Sequence, residues 1–405
     1  METPLVIIHY DEIALKGGRR RAFEERLVGN LNAWLAHARL PLRARNAWGR
    51  IFLIATADDL PEGWREAVQK ALSLFPGVAN FGFTRVVEKD MEALQSLAAD
   101  MAAQVTGHTF RVTARRTDKR FPLKSFEIER AFAAAMFRAA PDGSLRAAMR
   151  GFQREVHIEV LDTRIVVYVK QPGIGGLAVG SSGAAVSLLS AGFDSPVASF
   201  LMMKRGVRVW PVHFHSMPLV SDEALEAARE LAQRLSAFQG RLTLALTPVL
   251  PIQEYIREQA PERLRIVLLR RSFMRLATAY AAKRRALALI TGESVGQVAS
   301  QTLENMLVID DAASLPVLRP LSGLNKREII DLARRIGTED VSARPCDDTC
   351  SLFLPKAPET RARLDKVLKA EEALSRLPEL EEQALNDTEF EHFAWGTQAE
   401  TEKIA

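Results

Sequence analysis

Apolar residues recur along this chain with changing periods, and a regular alternation begins near residue 184. From there, short apolar runs alternate with segments whose apolar positions are spaced three and four residues apart. The runs have the length of buried strands, and the segments have that of amphipathic helices. They predict strands at 184–190, 207–214, 242–249 and 286–291, and helices at 196–205, 222–238, 262–285, 296–306 and 325–336. This alternation predicts an α/β domain over residues 184–370, built on a doubly wound, mostly parallel sheet.

The rest of the chain lacks this alternation. Strands and helices are mixed before residue 172, which favours two α+β domains, expected at 1–60 and 61–172. Residues 173–183 are rich in glycine and serine and predict a linker. Residues 371–405 hold 10 acidic and 2 basic residues, and predict an amphipathic helix followed by a loose acidic tail.

One glycine pattern in the predicted linker imitates a dinucleotide-binding fingerprint. Gly173 to Ala178 fit Gly-x-Gly-x-x-Gly/Ala. A strand rather than a helix is predicted next, so no helix N-terminus is available to hold a pyrophosphate. We therefore interpret the pattern as part of the linker.

The residues that follow the predicted strands are candidates for a ligand site, because ligands bind beyond the carboxyl ends of strands in such sheets. The first strand leads into the segment from Ser190 to Ser195, followed by Pro196. Ser195 as N-cap and Pro196 at the first helical position predict a helix start, whose backbone N–H groups favour an anion such as phosphate. An ordinary strand–turn–helix corner is the alternative. Ala191 would strain the loop if its position required a positive φ.

Other polar residues follow later strands of the same domain. His213 and His215 share one strand face and could bind a metal or move protons, although no third ligand stands at a suitable spacing. Lys326, at a predicted helix start, could neutralise phosphate charge or be an ordinary surface lysine. A spacing of four residues predicts that one polar helix face is formed by Gln297, Gln301 and Asn305. This face either recognises a base or is solvated.

Charge is distributed unevenly along the 405 residues, whose formal net charge is +4. Residues 1–180 hold 26 basic and 20 acidic residues, and 101–150 alone hold 10 and 4. This excess suits a polyanion such as nucleic acid, with a solvated charged face as the alternative. The aromatic residue Phe121 stands next to the basic residues of 115–124, as in surfaces that contact RNA. The candidate RNA contacts are Lys16, Arg19, Arg115, Arg116, Lys119, Arg120 and Lys124.

Cysteine content and hydropathy restrict the cellular compartment. No segment resembles a signal peptide or a membrane span, and Cys346 and Cys350 are the only cysteines. Two cysteines are too few for a secreted disulfide framework, and they lack the spacing of a zinc site. We therefore expect a cytoplasmic protein. The absence of a Gly-x-x-x-x-Gly-Lys-Ser/Thr loop argues against a kinase or GTPase.

Several motifs, in order, resemble the tRNA 4-thiouridine synthetase (ThiI) family between residues 4 and 356. Ser-Ala-Gly-Phe-Asp-Ser at 190–195 is similar to the Ser-Gly-Gly-x-Asp-Ser loop of ATP pyrophosphatases, the PP-loop. The other motifs are 12–17, 124–128, 212–216, 291–302 and 319–321. The resemblance implies a ferredoxin-like domain, a THUMP RNA-binding domain and a PP-loop adenylating domain. It also implies that ATP activates uridine 8 of tRNA as an adenylate, and that sulfur from a cysteine persulfide then displaces AMP.

The resemblance also implies roles for particular residues. Asp194 would hold Mg²⁺ on the pyrophosphate, Lys326 would neutralise developing charge, and Cys350 would handle the persulfide. The ATP-binding residues would be Leu188, Leu189, Ser190, Gly192, Phe193, Asp194, Ser195, His213, Phe214, Gly292 and Gln301.

The chain resembles the shorter members of the family, which lack a C-terminal rhodanese domain. In those members a cysteine desulfurase is expected to pass sulfur directly to the synthetase, and Cys346 is a candidate for resolving the persulfide as a disulfide. A homodimer is left open. The alternative functions are another PP-loop tRNA thiolase or adenylating enzyme, or a tRNA-binding protein whose active site has decayed.

Overall fold

The computed structural model describes residues 3–47, 49–219, 222–345 and 358–402, with side chains described to residue 397. They form an N-terminal unit, Met1–Leu177, and a C-terminal unit, Ala178–Ala405. The division falls inside the predicted linker. Cys346 and Cys350 lie outside the described residues.

The N-terminal unit is α+β, as predicted. Its strands are β1 (Pro4–His9), β2 (Leu42–Ala47), β3 (Arg50–Ala55), β4 (Asn80–Phe83), β5 (Arg85–Glu88), β6 (Thr109–Arg116), β7 (Arg146–Ala147), β8 (Arg154–Val160) and β9 (Arg164–Pro172). Its helices are α1 (Arg20–His37), α2 (Trp64–Leu74), α3 (Met91–Ser96), α4 (Ala98–Val105) and α5 (Ser125–Ala139). The strands form one sheet in the order β2-β3-β1-β4-β9-β8-β6-β7, and β5 also pairs with β9.

The boundary predicted between residues 60 and 61 is wrong. Strand β4 lies directly beside β1, with Val6 paired to Phe83 in antiparallel register. Val68 and Leu72 of α2 are fully buried. Because β1 is paired on both edges, α2 and β4 complete the same α+β part as β1 to β3.

A buried polar cluster lies within this sheet, where strands of the first part meet β8 and β9. Glu159 is fully buried and contacts Arg50, with His9 Nε2 at 3.2 Å and the Tyr168 hydroxyl at 3.3 Å. Burial and the charge of Glu159 raise the pKa of Tyr168, so its hydroxyl stays protonated and donates. A Cβ at Gly82 would lie 2.2 Å from the Tyr168 ring, so glycine is required beneath it.

The glycines after β9 serve packing, and no helix forms anywhere in residues 173–183, in agreement with rejection of the dinucleotide fingerprint. The Gly173 amide donates to the carbonyl of Ala79. A Cβ at Gly173 would stand 2.2 Å from the Val78 carbonyl oxygen. This glycine therefore permits a close backbone approach rather than phosphate binding.

The C-terminal unit alternates strands and helices. Its strands are β10 (Ala184–Leu188), β11 (Arg208–His215), β12 (Arg241–Pro248), β13 (Leu289–Ile290), β14 (Val317–Leu318), β15 (Glu389–Ala394) and β16 (Thr397–Glu402). Its helices are α6 (Asp194–Lys204), α7 (Asp222–Gln239), α8 (Leu250–Gln259), α9 (Arg265–Arg284), α10 (Leu303–Asp310), α11 (Lys326–Ile336), α12 (Glu339–Ser342), α13 (Leu364–Glu372) and α14 (Leu377–Asn386). In the described part of the chain, none of the helices is long and apolar enough to cross a membrane.

The sheet order β14-β13-β10-β11-β12-β15-β16 confirms the predicted doubly wound, mostly parallel sheet. Strands β14 through β12 in this order are parallel, and β15 and β16 add antiparallel. The chain moves from β10 to β11 and β12 on one side, and then to β13 and β14 on the other. The direction therefore reverses between β10 and β13, where a crevice opens beyond the carboxyl ends of the strands.

The helix predicted at 296–306 is wrong in its first half. A 3₁₀ turn spans Ala299–Gln301, and α10 begins only at Leu303. Gly296 has a φ of +76°, and the Thr302 hydroxyl accepts from the Asn305 amide as the N-cap. Gln297, Gln301 and Asn305 therefore do not share one helix face.

The prediction of a loose acidic tail is also wrong for the described residues. Residues after 371 continue α13 and then form α14, β15 and β16, with β15 paired along β12. Carboxylates of this segment pair with arginines of α9: Arg271 bonds Glu371, and Arg275 bonds both Glu371 and Glu381. Glu371 and Glu381 thus attach this segment to the domain, whereas other carboxylates, such as Glu372 and Glu382, are exposed.

Replacement of Arg271 by leucine tests this attachment. Arg271 is 3% exposed and donates to the Val308 carbonyl and to Asp311 and Glu371. We expect Arg271→Leu to lower the free energy of unfolding of the C-terminal unit by about 3 kcal/mol, because it removes a buried charged group and its bonds to the Val308 carbonyl, Asp311 and Glu371, which then keeps only Arg275. Urea unfolding measures the change. The exposed pair Arg334–Glu339 provides the control, where Arg334→Leu should leave the free energy of unfolding nearly unchanged. Equal losses in the two variants would contradict the prediction.

Candidate active site

The loop after β10 leads into the first turn of α6. The helix begins at Asp194, and Phe193 rather than Ser195 is its N-cap, without a side-chain capping bond. Ser195 instead ties the loop back: its Oγ accepts from the Ser190 amide at 2.8 Å and lies 3.1 Å from the Ser190 carbonyl. The prediction of Ser195 as N-cap is therefore wrong. The amides of the first turn lack a side-chain cap, which suits them to an anion.

Ala191 does not strain this loop. Among the described residues, the non-glycine positions with positive φ are Arg39, Arg285 and Trp395. Ala191 is 8% exposed and packs in a cluster with Ala227, Leu231 and Val341. Its methyl group thus contributes to packing, and the proposed penalty for replacing glycine here has no basis in the backbone.

Asp194 and Lys326 are brought together across the crevice. Lys326 is the first residue of α11, which starts with a capping box between Asn325 and Glu328, as expected for a helix start. Its Nζ lies 2.9 Å from Asp194 Oδ1 and 5.2 Å from the centre of the Phe193 ring. Gln297 donates to Asp194 Oδ2 at 3.2 Å. A carboxylate, an ammonium group and a helix N-terminus therefore face the same space.

Asp194 and Gln297 line a cavity of about 490 Å³, and Lys326 contacts Asp194 at its edge. Ten of the eleven predicted ATP-binding residues line it, and the eleventh, Phe193, lies beneath Lys326. One side is apolar, where the rings of Phe214 and Phe273 stack at 4.4 Å beside Met274. An apolar wall next to a phosphate-binding turn suits a nucleotide. Binding by these particular residues stays a prediction.

Gly292 brings the loop after β13 against the start of α6. A Cβ at this position would lie 2.6 Å from the Ser195 amide nitrogen and 2.7 Å from the Asp194 carbonyl carbon. Distances under 3.0 Å do not occur for real Cβ atoms. The absence of a side chain at Gly292 is therefore what allows the two strand-following loops to meet.

A buried ionic network lies behind Gly292. Glu293, 3% exposed, accepts from Arg270 Nη1 at 2.6 Å and from Arg319 Nε at 2.7 Å. Arg319 also makes a bidentate contact with Asp310 at 2.5 and 2.8 Å. Burial alone would lower the pKa of Arg319, but Asp310 and Glu293 outweigh that effect and raise it. Arg319 therefore stays charged, and the network holds the loop from several sides.

The two histidines differ in their surroundings. His213 lines the cavity, and its Nδ1 lies 2.9 Å from the Leu189 carbonyl oxygen, so Nδ1 carries the proton and donates. Burial, aided by the neighbouring His213 and Arg229, lowers the pKa of His215 to about 4. His215 is therefore neutral at pH 7, which argues against a proton-transfer role. Within the described residues, no cluster of three metal-ligating side chains occurs.

Sequence reasoning missed three charged residues of the cavity wall: Arg270, Glu293 and Arg344. Arg270 stands in a helix whose apolar pattern several arginines interrupt, and this interruption was the available signal. Glu293 lies within the motif at 291–302 that carried the resemblance. Nothing in the sequence around Arg344 distinguishes it from a surface residue, and it is exposed and paired with Glu230 at 2.7 Å.

Part of the basic set predicted for RNA contact is occupied within the N-terminal unit. Arg116 donates to the carbonyls of Phe121 and Leu123, and Arg120 pairs with Asp118. Hydrogen bonds from Arg120 and then Lys89 hold the pKa of Asp118 below its usual range. These contacts shape the loop. The exposed members of the set are Arg19, Arg115, Lys119, Arg120 and Lys124, and Lys16 is partly exposed above the Phe23 ring.

The aromatic side chain exposed beside these basic groups is not the one that the sequence predicted. Phe121 is 5% exposed and packs in the core, so it cannot stack on a base. Phe126, in the first turn of α5 near Lys124, is 60% exposed. The aromatic surface here is therefore supplied by Phe126.

The C-terminal unit is thus an α/β domain whose first strand leads to a helix N-terminus suited to phosphate. The N-terminal unit of the chain is an α+β scaffold with a basic surface. This combination defines the class of PP-loop enzymes that act on RNA. Comparison with known families agrees: residues 180–375 match "Thiamine biosynthesis protein (ThiI)", 5–82 match "ThiI ferredoxin-like domain", and 88–170 match "THUMP domain". The chain belongs to the ThiI family.

Individual relatives support the same assignment along nearly the whole chain. A "Probable tRNA sulfurtransferase" from Thermus thermophilus is 42% identical, covering 98% of this chain and 95% of that protein. One from Moorella thermoacetica is 40% identical over 91% and 93%. A crystal structure of a 4-thiouridine synthetase–RNA complex with bound ATP is 32% identical, with a TM-score of 0.84, and covers 97% and 100%.

Replacement of Gly292 by alanine tests the close approach. The added Cβ would force the loop away from α6, at a strain of about 1–3 kcal/mol. We expect ATP affinity to fall by about 10- to 100-fold, measured by equilibrium binding. Gly323 has open space around it and no positive φ, so Gly323→Ala is the matched control. Unchanged affinity in Gly292→Ala would contradict the contact.

Replacement of Ala191 by glycine tests the state of the loop. Because Ala191 has no strained φ, glycine should not improve catalysis, and KM for ATP and kcat should stay as in the wild type. Glycine should also lower the free energy of unfolding by about 0.5–1 kcal/mol through greater freedom of the unfolded chain. A higher kcat in this variant would show that alanine impairs the loop.

Proposed function

We propose that this protein is an ATP-dependent tRNA sulfurtransferase that converts uridine 8 of tRNA to 4-thiouridine. The observation that carries the proposal is the placement of Asp194 and Lys326, 2.9 Å apart, at an uncapped helix N-terminus beside a nucleotide-sized cavity. Membership of the ThiI family and similarity to an ATP-bound synthetase–RNA complex support the same chemistry.

The first step is adenylation. The uridine O4 attacks the α-phosphorus of ATP, an O4–P bond forms, and the bond from the α-phosphorus to the bridging oxygen breaks to release pyrophosphate. Amides of the first turn of α6 and the Lys326 ammonium group face the position of the phosphates and stabilise the charge that develops there. The product carries AMP as a good leaving group on C4, and unmodified uridine has no such group.

Mg²⁺ is compatible with the residues present. Asp194 supplies a hard carboxylate oxygen, which this ion prefers, and its side chain is 22% exposed at the crevice. As no three-residue metal cluster exists among the described residues, phosphate oxygens and water would complete the coordination. Bound there, Mg²⁺ would neutralise charge on the leaving pyrophosphate.

The second step transfers sulfur. The terminal sulfur of a Cys350 persulfide attacks C4, the C4–O4 bond breaks, and AMP leaves. A thiolate at Cys346 then attacks the Cys350 sulfur, so the sulfur on C4 departs with its electron pair and a Cys346–Cys350 disulfide remains. An external thiol reductant regenerates both cysteines. Both residues lie outside the described part of the chain, so these roles rest on the family resemblance.

The partners follow from this chemistry. The basic and aromatic surface around Arg115, Lys119, Lys124 and Phe126 would contact tRNA. A cysteine desulfurase would supply the persulfide, because the reaction consumes one sulfur atom per cycle. We also propose a cytoplasmic location, where tRNA and thiol reductants are found, and a homodimer as the assembly to be tested by solution mass.

Two variants separate the two steps. Lys326→Met should reduce tRNA-dependent pyrophosphate release by about 10²- to 10³-fold through loss of a charge-stabilising group. Cys350→Ser should release pyrophosphate normally but form no 4-thiouridine, as measured by mass spectrometry of tRNA nucleosides. The control is Lys369→Met, an exposed lysine of α13.

Three results would contradict these assignments. Persistence of 4-thiouridine in cells lacking this protein as their sole candidate enzyme would refute the function. Pyrophosphate release independent of tRNA would favour a small-molecule substrate. Loss of release in Cys350→Ser would give that cysteine a structural role instead.

A further inference from the structure

Glu293 lies at the centre of an ionic network in the wall of the cavity, and both of its oxygens accept hydrogen bonds. Oε1 accepts from Arg270 Nη1 at 2.6 Å. Oε2 accepts from Arg319 Nε at 2.7 Å and from the Thr291 hydroxyl at 3.0 Å. A residue with this burial and this number of donors holds one orientation only.

The three donors to Glu293, and the carboxylate that accepts from Arg319, come from four separate parts of the C-terminal unit. Arg270 belongs to α9, Thr291 follows β13, Arg319 follows β14, and Asp310, which holds the far side of Arg319, ends α10. The backbone adds to this arrangement, because the Thr291 amide donates to the Leu318 carbonyl. The carboxylate of Glu293 therefore cross-links the elements that surround the crevice.

The consequence for the active site passes through the neighbouring residue. Gly292 stands between Thr291 and Glu293, and its backbone lies against Asp194 and Ser195 with no space for a Cβ. Arg270, held by Glu293, lines the same cavity. Any rotation of the Glu293 carboxylate would move both the Gly292 backbone and the Arg270 guanidinium group relative to the phosphate-binding turn.

We propose that Glu293 is a positioning residue for the adenylation step, acting with Arg319 and Asp310 to hold Gly292 and Arg270 in the geometry that binds the nucleotide. This deepens and rests on the proposed function. The four charged side chains balance, two carboxylates against two guanidinium groups, so the network can be buried without net charge. Glu293 needs no contact with substrate to act in this way.

The test separates positioning from stability. Glu293→Gln keeps the side-chain length but removes the charge and one acceptor. We expect it to weaken ATP binding by about tenfold, seen in the equilibrium Kd and in KM for ATP, at temperatures below its melting transition. The double variant Glu293→Gln/Arg319→Gln restores equal numbers of carboxylates and guanidinium groups in the network, so it should recover melting temperature without recovering ATP affinity.

The matched control is Glu381→Gln. Glu381 is a partly buried carboxylate that pairs with Arg275 in the same unit and does not line the cavity. It should lower the melting temperature and leave Kd for ATP unchanged. If Glu293→Gln fails to fold, Asp310→Asn replaces it, which loosens Arg319 from one side and should weaken ATP binding in the same direction.

Two outcomes would overturn the proposal. The first is an unchanged Kd for ATP in Glu293→Gln, or in Asp310→Asn if that variant is used. The second is recovery of both melting temperature and ATP affinity in the double variant, which would make the role one of charge balance alone. Failure of the wild type to release pyrophosphate with tRNA would refute the proposed function instead, and the Kd measurements would still decide the role of Glu293.

Discussion

The contact between Gly292 and the first turn of α6 is the constraint on which the active site depends. Strands β10 and β13 are neighbours in the sheet, so the loops that follow them leave the same edge and compete for the same space. A side chain at Gly292 would hold these loops apart. Because Gly292 has no side chain, the backbone of the loop after β13 supports the turn that carries Asp194. Lys326 reaches the Asp194 carboxylate from α11.

Helix α9 extends the effect of this contact through the C-terminal unit. Two consecutive arginines of α9 pair with different parts of the unit. Arg270 pairs with Glu293 at the cavity, and Arg271 pairs with Glu371 and Asp311. Charges this deeply buried are tolerated only when they are paired and hydrogen-bonded. The helix therefore joins the cavity to α13 and α14, and these described residues after 371 are part of the domain.

The sequence predicted elements and motifs better than it predicted contacts. The period of apolar residues was enough for the parallel sheet, and the capping pattern at Asn325 was enough for the start of α11. Predictions about the side chains of Ser195 and Phe121 were wrong. Ser195 bonds back to Ser190 within the same loop, and Phe121 is buried in the core, and neither the capping pattern nor the run of basic residues indicates these contacts. The boundary at residue 60 was wrong because pairing of β4 with β1 leaves no local signal.

The sequence by itself determined the class of fold, the position of the turn between β10 and α6 and the residue types available for chemistry, since periodicity and turn composition are local properties. Tertiary structure alone decided that Ala191 is unstrained, that Phe126 rather than Phe121 offers an exposed ring, and that Glu293 lies at the centre of a network. Those properties depend on backbone dihedrals and on packing between elements far apart in the chain. Distances between such elements are set when the sheet assembles, and no local pattern contains them.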